Sequence, residues 1–191
     1  MVPCMAPNDL FWNTMYITPK AIFFIPPPYE EVVIDLWEAL KTQALWPKIQ
    51  TSCFTVTGIV NQRFEQLGHQ AQAVSGTVLA QHDKQAYKLG FPGIYQKSSE
   101  IDGHIFSLID DKILIDFGLG NIKKYGLPKF PKAIAFEMPE KKFPITFKFH
   151  HGQGSWDTQL ANPACQQIYE EHLALARTIL KDCQLPPSQF K

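Results

Sequence analysis

Three residues of this chain have the types and the order needed for nucleophilic chemistry: Cys53, His104 and Asp116. The first stands in "TSCFTVTGIVNQRFEQLG", residues 51–68, where a small-residue cap, a thiol, an amphipathic stretch and a glycine stop follow in turn. A helix N-terminus and a nearby imidazolium each favour the thiolate, the form of cysteine that attacks carbon. His104 and Asp116 fall on two short apolar segments, "HIFSLID" and "KILIDFGL". A carboxylate bonded to one imidazole nitrogen fixes the tautomer and leaves the other nitrogen facing a nucleophile. Together the three residues make a nucleophile, a base and an orienter.

Taken singly, each has an ordinary reading. Cys53 shares an apolar stripe with Val56 and Val60, faces inward, and suits buried filler. His104 suits the start of a strand, and Asp116 a cap near the end of one. Their order, faces and spacing are what speak for a common role.

The elements that must position them are legible to different degrees. Val56, Ile59, Val60, Phe64 and Leu67 recur at helical spacing after Cys53, with Thr51 or Ser52 as cap and Gly68 as the stop. Before it, after Pro26-Pro27-Pro28, residues 29–43 read as a helix with Val33, Leu36, Trp37 and Leu40 on one face. Residues 70–81 read as a strand with a bend or bulge at Gly76, followed by a loop that runs to the "HIFSLID" strand. The hairpin that carries His104 and Asp116 turns at Asp110-Asp111, and its register is open. An odd turn, or one bulge, sets Asp116 opposite His104, whereas a two-residue turn sets it opposite Ile105 and separates the pair. "AIAFEMP" and "PITFKFHH" read as a second antiparallel pair, and "GQGSW" as a loop in which Trp156 has no assigned part. A last helix starts at Asn162-Pro163 and runs to about Asp182, with Ile168, Leu173, Leu175, Ala176 and Leu180 on its apolar side. Helices, then antiparallel strands, then a helix is an α+β succession. Residues 1–28 read as an irregular N-terminal arm with a short strand at 20–25, and 29–191 as one catalytic domain.

Composition narrows the function classes. Lys plus Arg and Asp plus Glu are both 18, so no bulk charge draws the chain to nucleic acid or to an anionic membrane. No apolar run is long enough to insert into a membrane. Without a Sec-type leader, the expected location is the cytoplasm, or outside it by another export route. Cysteines 4, 53, 165 and 183 have no CxxC spacing, which argues against a cysteine zinc site and a disulfide framework, and Cys165 and Cys183 look structural. His150-His151 has no ligand partner at metal-binding spacing. "FGLGN", residues 117–121, is followed by no helical pattern and does not read as a phosphate loop. No metal or cofactor is expected.

The stretch "SCFTVTGIVNQRFEQLGHQAQAVSGTV" followed by "GHIFSLIDDKILIDFGL" resembles the transglutaminase-like branch of the papain-like cysteine hydrolase superfamily. There a cysteine begins a helix that a glycine ends, a "GH-apolar" strand carries the histidine, and an "ID" on the next strand carries the aspartate. The resemblance covers roughly residues 51–119. It implies a papain/transglutaminase-like fold, with N-terminal helices packed on an antiparallel sheet and a C-terminal helix. It also implies a Cys53-His104-Asp116 triad and thiol chemistry on an amide of a peptide or protein substrate: peptidase, amidase, deamidase or acyl transferase. Two positions depart from the pattern. The papain-type oxyanion glutamine lies six residues before the cysteine, and Pro47 stands there; Gln50 and Trp46 are the nearby candidates for oxyanion or substrate binding, beside the Cys53 backbone N–H. Phe106 stands where a tryptophan often follows the histidine. Two further readings stay open. Arylamine N-acetyltransferases have a strand similar to "LIDFGLG", but their "RGG-aromatic-C" approach is replaced here by "KIQTSC". A catalytically inactive papain-like fold would instead bind a peptide or a protein.

Overall fold

The computed structural model of the chain describes residues 16–43, 46–49, 52–91, 103–140, 142–150, 152–183 and 185. Among these are nine strands and five helices. In chain order they are β1 (Tyr16–Ile17), β2 (Ala21–Phe24), α1 (Pro27–Thr42), α2 (Trp46–Ile49), α3 (Cys53–Gln66), β3 (Ala71–His82), β4 (Gln85–Leu89), β5 (His104–Ile109), β6 (Ile113–Asp116), α4 (Gly120–Tyr125), β7 (Ala133–Glu137), β8 (Ile145–Phe149), β9 (Gly152–Asp157) and α5 (Ala164–Asp182). The class is mixed α and β with a mostly antiparallel sheet.

The sheet runs β1-β2-β7-β6-β5-β3-β9-β8, with β4 added to β3. Only the β2–β7 pairing is parallel among the described strands. β3 belongs to both halves: residues 71–76 pair with β5, and residues 77–82 pair with β9. Gly76 lies at that change of neighbour. The register carries no extra residue there, so the anticipated bend or bulge is instead a close approach: a Cβ would stand 2.6 Å from the Asp157 carbonyl oxygen.

Strand alternation divides the interior in two. Ile109, Ile113, Ile115, Ala133 and Ala135 face one way, against Val33, Leu36, Trp37 and Leu40 of α1, Val56, Ile59, Val60 and Phe64 of α3, and Ala176 and Ile179 of α5. Phe106, Leu108, Leu114, Ile134 and Phe136 face the other way, into a cluster with Val78, Ile145 and Trp156 from the second half of the sheet. β5, β6 and nearly all of β7 are therefore buried on both faces.

Several expectations change against this architecture. β2 is part of the sheet, and Ala21 and Phe23 are in the core, so residues 16–24 are not an irregular arm. β7 pairs with β6 and β2 rather than with β8. β8 pairs with β9, the segment read as a loop. β4 lies in the other stretch read as loop, and the Pro92-Gly93 turn falls outside the described residues. A short helix, α4, does open at the second glycine of "FGLGN". Leu175 is 42% exposed and leaves the apolar side of α5 to Cys165, Tyr169, Ala176, Ile179 and Leu180. Among the described residues no helix is long and apolar enough to cross a membrane.

Candidate active site

Cys53 is the first residue of α3, and the local sequence fixes both ends of that helix. Ser52 is the N-cap, its side chain accepting the Thr55 N–H at 3.4 Å, and the Val56 N–H reaches the Ser52 carbonyl at 3.1 Å. At the other end Gly68 takes φ +85°, its N–H bonds Glu65 O, and the His69 N–H bonds Phe64 O, a Schellman stop. The helix is tied to the strand that carries the histidine by Thr57 Oγ1, which donates to Ile105 O at 3.1 Å. The N–H groups of Cys53 and Phe54 point out of the helix end, where no intrahelical acceptor exists.

His104 opens β5 and Asp116 closes β6, both fully buried. The hairpin turn spans three residues: Ile109 pairs with Ile113, and Asp110 and Asp111 take φ of 50° and 57°. An odd turn keeps His104 and Asp116 on one face, as the spacing required, but the register does not set them opposite each other. Ser107 pairs with Ile115, so one step further sets Asp116 against Phe106. The two side chains meet on the diagonal, within reach for neighbours two residues apart across a pair. His104 Nε2 donates to Asp116 Oδ2 at 2.7 Å.

Asp116 has two further donors. Trp156 Nε1–H reaches the same Oδ2 at 2.8 Å, and the Gly118 N–H reaches Oδ1 at 2.9 Å. These bonds satisfy a carboxylate that is wholly removed from water. They also assign Trp156, whose strand was not anticipated, to the site.

His104 sits on the sheet face opposite α3, in ring contact with Phe106, whereas Cys53 packs with Ile105 and Tyr169 on the helix face. The two meet beyond the end of β6, at Gly118. A Cβ there would stand 2.6 Å from Cys53 Cβ and 3.1 Å from His104 Cε1, so only glycine lets thiol and ring close on one another. His104 Nδ1 is buried without an aligned hydrogen-bond partner among the described residues, yet the Cys53 thiol acts on the ring as one. The shared contact at Gly118 favours the second description, with a loose alignment common in ligand-free sites. Burial works against the imidazolium. The charge and hydrogen bond of Asp116, with the contact from Cys53, outweigh it and raise the His104 pKa to about 10.

Cys165, at the start of α5, is fully buried beside this centre. Burial pushes its thiol up, while hydrogen bonds from Ser75 and from the His104 backbone act the other way. Of the other candidates, Trp46 is turned into the core, edge-on to the Trp37 ring at 5.3 Å, and is not a substrate-facing group. Gln50 lies outside the described residues, as do Thr51, Cys4 and His151. No group of three His, Cys, Asp or Glu side chains with metal-binding geometry occurs among the described residues. What the sequence left unassigned is Gly118 and Trp156. The glycine two residues after Asp116 was a usable signal, whereas nothing local marked the tryptophan.

The arrangement places a thiol at a helix N-terminus beside a buried imidazole whose Nε2 is held by a carboxylate. Comparison with protein-family models, with curated proteins and with solved structures finds no match to this chain.

Proposed function

We propose that this chain is a thiol-dependent hydrolase or acyl transferase acting on amide bonds through a Cys53 acyl-enzyme, built on a papain/transglutaminase-like variant of its α+β fold. The observation that carries the reading is the division of the two His104 nitrogens. Nε2 is given to Asp116 at 2.7 Å, and Nδ1 is buried toward the Cys53 thiol.

The steps follow from that division. The Cys53 thiolate attacks the amide carbonyl carbon, and the oxygen gains charge toward the N–H groups of Cys53 and Phe54. Protonated His104 gives its Nδ1 proton to the leaving nitrogen, the C–N bond breaks, and a thioester remains. Neutral His104 then takes a proton from water or from an acceptor amine, which attacks the thioester and releases Cys53. Water gives hydrolysis or deamidation, and an amine gives transfer. Asp116 holds the ring and balances its charge throughout.

The test is alkylation followed by turnover. Iodoacetamide at pH 7 should modify Cys53 faster than free cysteine and well before Cys165 or Cys183, as read by peptide mass. The protein should then act on dimethylcasein, with cleavage, ammonia release and incorporation of a fluorescent primary amine separating the three outcomes. Alkylation of Cys53 no faster than free cysteine would remove the catalytic reading and leave a binding module.

A further inference from the structure

The hydroxyls that flank Cys53 are bonded from outside their own helix by one side chain of α5. Thr55 Oγ1 lies 2.7 Å from His172 Nδ1 on α5 and 3.0 Å from Ser52 Oγ, while Ser52 Oγ accepts the Thr55 N–H at 3.4 Å. The His172 ring also packs on Phe54, centroids 5.8 Å apart. The three residues that flank Cys53 are thus held by one side chain, Phe54 by ring contact, Thr55 directly and Ser52 through Thr55.

Of the two directions these distances allow, one uses every hydroxyl proton within the run. Ser52 Oγ takes the backbone N–H and gives its own proton to Thr55 Oγ1. Thr55 Oγ1 accepts that proton and gives its own to a lone pair on His172 Nδ1. The histidine is then the neutral Nε2–H tautomer. Thr55 is 1% exposed, so its hydroxyl proton needs an acceptor, and the shorter of its two contacts is the one to His172 Nδ1. The other side-chain hydrogen bonds between α3 and α5 lie further along α3, where Asn61 donates to Tyr169 and Gln62 to the Leu173 carbonyl; at the first turn the remaining α5 contact is the packing of Cys53 on Tyr169.

We propose that His172 is a positioning residue for the nucleophile: as the acceptor at the end of the Ser52–Thr55 hydrogen-bond run, it fixes the first turn of α3 so that the Cys53 thiol stands against His104. The role rests on Cys53 being the nucleophile, and it adds a residue 119 positions away that touches no reacting atom.

The experiment compares the iodoacetamide rate at Cys53 in wild type, His172→Phe, His172→Asn and Thr55→Val, with a urea midpoint for each. His172→Phe keeps the ring against Phe54 and removes the acceptor. His172→Asn places an amide oxygen near the position of Nδ1. Alkylation should slow roughly tenfold in His172→Phe and in Thr55→Val, since a misplaced nucleophile loses rate steeply. It should return to within about twofold of wild type in His172→Asn. A fast wild type with an equally fast His172→Phe overturns this role and leaves the catalytic reading standing. A wild type no faster than free cysteine overturns both. Should a variant fail to fold, ¹⁵N-histidine spectra of the wild type at pH 8 decide: Nδ1 of His172 should be unprotonated, and a proton on it overturns the proposal.

Discussion

Each end of the β5–β6 hairpin takes part in a histidine–aspartate pair. At the open end, His104 and Asp116 are 2.7 Å apart and both side chains are 0% exposed. At the turn, His69 and Asp110 are 2.6 Å apart, with side chains 18% and 25% exposed. By distance alone the two are equivalent. They differ in what surrounds them. Asp110 also accepts the Tyr29 hydroxyl at 2.8 Å and the Gln70 N–H at 2.9 Å, and His69 packs against both the Tyr29 and Phe64 rings. That pair fastens the end of α3 and the start of β3 to the turn. The other pair is fully buried, with a thiol beside the remaining nitrogen of its imidazole. A histidine–aspartate bond is therefore no sign of catalysis by itself; burial and a nucleophile on the remaining nitrogen make the difference.

The comparison breaks most visibly in turnover. His104→Ala should remove the acyl chemistry, with a loss on the order of 10⁶ in kcat if the residues act as a unit, as in a subtilisin-type triad. His69→Ala should leave kcat unchanged. A large loss in His69→Ala, measured on the same amide substrate, would show that the turn pair also serves the reaction.

Next come the carboxylates. Asp116→Asn should cost up to about 10⁴ in kcat, because an amide holds the wrong imidazole tautomer. Asp110→Asn should leave kcat alone and cost about 1 kcal/mol in urea unfolding, the scale of a partly buried hydrogen-bonded pair. Equal kcat losses in the two variants would erase the distinction.

The smallest effect is the sharpest in sign, because the two pairs should fail at opposite ends of the pH scale. The folded pKa of His104 is raised from 6.5 to about 10, so its contribution to stability is whole below pH 6.5 and is lost as pH rises toward 10. The Asp110 carboxyl is held below 3.8: burial opposes this, and the hydrogen bonds from His69, Tyr29 and Gln70 outweigh it. Its contribution is present above pH 3.8 and is lost as pH falls through the lower folded value. Urea midpoints from pH 3 to 10 should show the gap between wild type and Asp110→Asn closing on the acid side. The gap between wild type and His104→Gln should close on the alkaline side.

What was legible in the sequence follows the range of the interactions. The Ser52 cap and the Gly68 stop are settled within five residues, and the helix between them could be read with its ends. The hairpin was legible, but its register was not. Two successive aspartates in the left-handed region lengthen the turn to three residues, and the Asp-Asp pair does not announce this. β9 was missed because Gly152, Gln153, Gly154 and Ser155 have little preference for a strand. Their conformation comes from β3 on one side and β8 on the other. With β9 went Trp156 and its bond to an aspartate 40 residues earlier. Trp46 misled in the opposite sense: adjacency to Cys53 in sequence suggested the site, while the Trp37 ring holds it in the core.

The Trp156 bond has a magnetic consequence. Its indole proton ends on the same carboxylate oxygen as His104 Nε2, so the two donors share one acceptor. Any event that moves charge on or off the imidazole alters the field along that N–H. The indole proton resonance of Trp156, resolved from those of Trp12, Trp37 and Trp46 by substitution, is thus a native gauge of the protonation of His104. It can be read without a label and without knowing the substrate.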